Sequence, residues 1–105
     1  MANYVLAYLN GGGLPEDEEE QRQLHARWGA WFGGLGAAVV DPGNPFGESR
    51  SISPDGAVGH GAGAGLTGYS IVSADDFDDA VGKAQGCPHL ASGGTVEVYE
   101  IVPVM

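Results

Sequence analysis

A chain of 105 residues with 43% hydrophobic and 17% charged side chains is one globular domain with a modest core, about 60–68% of its unfolded surface being buried at this size. Fourteen acidic against four basic side chains give a formal charge of −10, a field that repels polyanions and excludes nucleic acid and anionic membrane surfaces as partners. The single cysteine, Cys87, excludes an intrachain disulfide, and without a signal-peptide pattern or an apolar run near the ~20 residues of a membrane span a cytoplasmic protein is expected.

NYVLAYLN (3–10) is apolar on both alternating sets, Tyr4, Leu6 and Tyr8 on one and Val5, Ala7 and Leu9 on the other. That predicts a strand covered on both faces and central in its sheet. The glycines at 11–13 end it. Leu14 and Pro15 then open a helix whose first turn carries EDEEE (16–20), acids placed to complement the helix dipole. Along this helix Leu24, Trp28, Trp31 and Leu35 fall within an arc of ~60°, a core stripe. Gly33, Gly34 and Gly36 end the helix, and AAVV (37–40) supplies a short second strand. DPGNPFG (41–47) is turn-rich. A small hairpin follows inside 48–60, with 51–53 and 57–59 flanking Pro54, Asp55 and Gly56.

GHGAGAG (59–65) offers few side chains to pack and is expected to be the most mobile internal connection. TGYSIVSA (67–74) reads as a strand. DDFDDAVGKAQG (75–86) reads as a helix, with Phe77, Ala80, Val81 and Ala84 at i, i+3, i+4 and i+7, and with Gly86 and Pro88 to stop it. TVEVYEIV (95–102) is the last strand. The order β-α-β, hairpin insertion, β-α-β predicts an α+β fold of ferredoxin-like βαββαβ type: a four-stranded antiparallel sheet with two helices on one face. The other face of such a sheet is bare, and the apolar residues of 4–9 and 69–72 predict a homodimer that covers it.

LHARWGAWF (24–32) places His25 at the edge of the tryptophan stripe, beside Phe32. A histidine on the rim of an aromatic wall can titrate near neutrality and act as a general acid or base. The competing reading is a helix-edge residue with water on one side. Asp41, ahead of Pro42, fits the start of a turn. Cys87, His60 and His89 do not make a zinc set, since four ligands at close spacing are missing, and neither acidic run has a calcium-loop pattern. No metal is expected. Cys87 reads as a buried structural thiol. GAGLTG (63–68) matches G-x-G-x-x-G, but a strand follows where a dinucleotide fingerprint needs a helix, so no cofactor is expected.

GYSIVSADDFDDAVGKAQGCPHL (68–90) and GGTVEVYEIVPVM (93–105), with LHARWGAWFGGLGAAVVDPGNPF (24–46), resemble the YCII-related family of small dimeric α/β-barrel proteins. The resemblance implies a ferredoxin-like subunit whose sheet pairs with a second copy to form a barrel around a small-molecule pocket. It also implies an acid–base pair, matched here by His25 and Asp41. Trp28, Phe32, Phe46 and Tyr69 are the candidate pocket-lining residues. The activity implied is cofactor-free proton transfer, isomerisation or elimination on a small organic molecule, with His25 as base and Asp41 orienting it. The alternative is a non-catalytic small-molecule-binding or interaction domain. A cofactor-free monooxygenase, by analogy with other dimeric α/β barrels, is a third reading.

Overall fold

The computed structural model describes residues 1–11, 15–61 and 65–104. Among them the elements run β1 (Ala2–Leu9), α1 (Glu18–Leu35), β2 (Val39–Asp41), β3 (Arg50–Ile52), β4 (Val58–His60), β5 (Leu66–Ala74), α2 (Phe77–Ala84), α3 (Pro88–Ala91) and β6 (Thr95–Glu100). The fold is α+β. Four strands form one sheet in the order β2-β5-β1-β6, every neighbouring pair antiparallel, and β3 and β4 form a second sheet of two strands. No helix among the described residues is long and apolar enough to cross a membrane.

The unbroken apolar run of β1 follows from its place between β5 and β6. Alternation divides its side chains between the two faces. Tyr4, Leu6 and Tyr8, in register with Val72, Ser70 and Gly68, point toward the helices, while Val5 and Ala7, in register with Ile71 and Tyr69, point away. On the helix side Trp28 of α1 meets Tyr8 edge-on at 5.3 Å, and Phe77 of α2 meets Tyr4 edge-on at the same distance. The Trp31 indole N–H donates to the Lys83 carbonyl at 3.0 Å and ties the two helices together. Tyr4, Leu6, Val72, Ala74, Ala80, Ala84 and Cys87 form the buried centre.

Element boundaries depart from the sequence reading where capping and packing compete. Helix α1 begins at Glu18, with Asp17 as its cap, later than Leu14 and Pro15 suggested. Gly33 and Gly34 do not end it. Each costs about 1 kcal/mol inside a helix, but Leu35 packs against the core and holds the last turn, and Gly36 (φ +57°) closes it with an N–H to the Phe32 carbonyl. The stripe on α1 is only half-buried, with Trp28, Trp31 and Leu35 at the margin of the core. Residues 36–38 form a 3₁₀ turn, so the second strand is confined to Val39–Asp41. Pro88 stops α2 and also opens α3, where its missing N–H is no loss at the first position. The glycine connection 59–65 lies partly outside the described residues, as do Leu14 and most of the glycine run at 11–13.

After β2 the chain stays against β5. Pro45 bridges Gly68, and the Phe46 N–H donates to the Thr67 carbonyl at 2.8 Å. Gly43 makes this approach possible: its φ is +73°, and a β-carbon there would run into the Tyr69 carbonyl. Gly43→Ala therefore combines a left-handed backbone cost of ~1–2 kcal/mol with a backbone clash, and should lose more than about 2 kcal/mol in urea unfolding. Gly47→Ala, with open space around it, should stay within about 0.5 kcal/mol of the parent.

Candidate functional site

A cavity of about 670 Å³ opens between α1, the C-terminal end of β1 and the segment 42–45. Its wall on α1 is Leu24, Trp28 and Phe32. Trp28 is fixed there by contacts with Tyr8 (5.3 Å), Trp31 (5.7 Å) and Phe32 (5.8 Å) between ring centroids. The volume lies within the range of about 300–1,000 Å³ of small-molecule sites.

His25 lines the same cavity one helical turn before Trp28, and its side chain is solvent-exposed at the mouth. Among the described residues no carboxylate comes within ion-pair distance of it. Asp41, the carboxylate matched to it by the family resemblance, has other partners. Its Oδ1 accepts from the Gly43 N–H at 2.8 Å and its Oδ2 from the Tyr69 hydroxyl at 3.1 Å. The cause is a register shift. The irregularity between Val39 and Asp41 sets Asp41 opposite Ile71, whose side chain lies on the helix-free face, whereas His25 sits on the helix that covers the other face.

Tyr69 joins the two sides. It lines the large cavity and also a smaller one of about 340 Å³ on the helix-free face, where Phe46 stacks on it at 5.8 Å and Val5, Ala7 and Tyr99 complete the wall. Phe46 thus belongs to the smaller cavity. The hydrogen bond to Asp41, and then the charge of that carboxylate, hold the Tyr69 phenol above its ordinary pKa.

Three polar groups at the large cavity were not singled out from the sequence. The His89 Nε2 lies 2.9 Å from the Leu9 carbonyl oxygen. A carbonyl can only accept, so in the neutral ring Nε2 carries the proton and Nδ1 is the free acceptor. The ring rests near Tyr8 (5.4 Å) and over Gly94, where a β-carbon would overlap it. Asn10 caps the end of β1 in the left-handed region (φ +58°), its N–H bonded to the Gly65 carbonyl at 3.0 Å. Tyr8 donates to the Ser70 Oγ at 2.6 Å, and that hydroxyl donates to the Pro42 carbonyl at 2.7 Å. Burial pushes the Tyr8 phenol well above its ordinary pKa and raises the Cys87 thiol, so both stay protonated at neutral pH. The legible signals were Asn-Gly directly after a strand and the glycine pair 93–94 four and five residues beyond a histidine.

Among the described residues no group of three or more His, Cys, Asp or Glu side chains is placed to hold a metal ion. No family model, curated protein or solved structure matches the chain.

The Asp41–Tyr69 pair carries a pH signature. A phenol whose folded-state pKa is raised stabilises the fold fully below the unfolded value near 10, and that contribution is lost as pH rises through the folded value. In Asp41→Asn the Tyr69 ring carbon signal, followed by NMR, should titrate at lower pH than in the parent. An unchanged titration would show that the carboxylate does not act on the phenol.

Proposed function

We propose that this protein is a YCII-related homodimer of ferredoxin-like subunits that binds a small organic molecule in the helix-side cavity and moves a proton on it through His25, without a cofactor. The observation that carries the functional part is the meeting of His25 with the Trp28–Phe32 wall at one cavity of ligand size. An apolar wall holds a planar or branched organic group, and an imidazole at its rim can exchange a proton with the part nearest solvent. His89, oriented by Leu9, and Asn10 supply hydrogen bonds to the ligand's polar atoms.

The strand order supports the architectural part. Set aside the β3–β4 hairpin, and the sheet reads from its β6 edge as fourth, first, third and second strand of a βαββαβ chain, the ferredoxin-like order. Dimerisation is supported by surface. The chain exposes 6890 Å², against about 5,500 Å² for a compact monomer of its mass. Its radius of gyration is 15.2 Å, against about 13 Å for a compact chain of this length.

Binding without turnover is the second reading. The engagement of Asp41 by Tyr69 and Gly43 favours it, because no carboxylate then fixes the His25 tautomer. A thermal-shift screen of small organic acids, ketones and lactones, followed by turnover assays on the hits, separates the two. His25→Ala should keep binding, abolish turnover and change stability by less than about 0.5 kcal/mol. Trp28→Ala should lose binding and cost somewhat less than the ~3–5 kcal/mol of a fully buried aromatic. Hits bound equally by the parent and His25→Ala, with no turnover by either, would leave the binding reading alone standing.

A further inference from the structure

The β3–β4 hairpin is built as an arm without a core. Its ladder is regular, pairing Arg50 with His60, Ser51 with Gly59 and Ile52 with Val58. The tip is closed by Ser53 and Ala57 backbone bonding and by the Asp55 carboxylate, which accepts from the Ala57 N–H at 2.9 Å. Yet every residue from 47 to 60 is exposed, and the cross-strand pair Ile52 and Val58 stands 72% and 67% open to solvent. A lone two-stranded hairpin is marginal in water without a surface to pack on, and a regular exposed strand pair with apolar side chains is a docking element.

Three observations select a second copy of this chain as that surface. The first is area: the excess exposed surface, about 1,400 Å² over a compact monomer, exceeds the ~800 Å² per partner of a standard interface. The second is reach. The arm leaves the body at Phe46, which is bonded to Thr67 and stacked on Tyr69 beside the helix-free face. From there to its tip, 47–54 spans ~26 Å at ~3.3 Å per residue, and a four-stranded sheet is ~19 Å wide at ~4.8 Å per strand. The third is charge. In a chain of −10, residues 47–60 carry Glu48, Arg50 and Asp55, with Arg50 paired to Glu48 at 2.9 Å, so this segment of net charge −1 approaches another acidic copy with little repulsion.

We propose that the β3–β4 arm of each chain lies across the helix-free sheet face of its partner, seating Ile52 and Val58 on the strip formed by Val5, Ile71 and Tyr99. This rests on the homodimer reading above and adds to it which segment clasps which face.

The test compares the parent with Ile52→Ser/Val58→Ser by sedimentation equilibrium and circular dichroism. Both positions are exposed, so the spectrum should be unchanged while the dimer dissociation constant rises at least tenfold. A second readout mixes Ile52→Cys chains with Ile71→Cys chains under mild oxidation, and a disulfide-linked heterodimer should accumulate. A parent dimer with an unaltered constant in the double serine variant, or with no cross-link, overturns the arm proposal and leaves the homodimer intact. A parent that stays at 10.7 kDa up to 100 µM overturns both.

Discussion

The hydroxyl of Tyr8 donates to Ser70, and Ser70 donates onward to the Pro42 carbonyl, at 2.6 and 2.7 Å. This short chain of buried bonds couples three parts that would otherwise be separate. It runs across the central β1–β5 pair on the helix side and reaches out to the segment that walls the cavity. A buried phenol and a buried hydroxyl without partners would each cost about 1–3 kcal/mol, so the loop must stay where Pro42 accepts. Gly43 then has to follow Pro42 in a left-handed conformation against the Tyr69 backbone. The same Tyr8 ring carries Trp28 on one side and His89 on another. The position of the cavity wall is therefore set by the sheet, and the helix adapts to it.

That arrangement explains why the cavity is open. A helix stripe of two tryptophans and two leucines is wide enough to fill the space over a sheet, yet here the stripe is half-buried. The loop held by Pro42 occupies the sheet edge, where Gly68, with no side chain, lets the Asn44 and Pro45 backbone come close. Aromatic side chains line the resulting space without closing it. Across the sheet, Tyr69 faces the smaller cavity and is held by Asp41. The carboxylate thus acts on a phenol shared by both cavities rather than on the imidazole at the mouth of one.

Much of the fold could be read from periodicity. The doubly apolar run at 3–10 marks a central strand, and Ala80 and Ala84 mark the buried face of α2, because burial imposes those patterns directly. The hairpin was legible from its turn residues. Less legible were the places where one residue served two constraints. Gly33 and Gly34 read as a stop but are carried through by the packing of Leu35, and Pro88 reads as a stop but also starts a turn of helix. The site was legible where it lies on periodic elements, as with His25, Trp28 and Phe32. Asp41 was assigned by motif position, and a single irregularity in β2 decides which face its carboxylate serves. No sequence pattern reports such an irregularity. Asn10 lies in irregular backbone and His89 in a single turn of helix, where position depends on contacts between segments far apart in the chain.

The helix-side cavity, and not the smaller one across the sheet, is the proposed ligand site. The most direct measurement is an NMR titration of the isotope-labelled protein with indole, a neutral planar probe, following aromatic and imidazole signals. Saturable shifts at Trp28, Phe32, His25 and His89, with Tyr99 and Val5 unmoved, are the predicted result. Shifts confined to Phe46, Val5 and Tyr99 would contradict it.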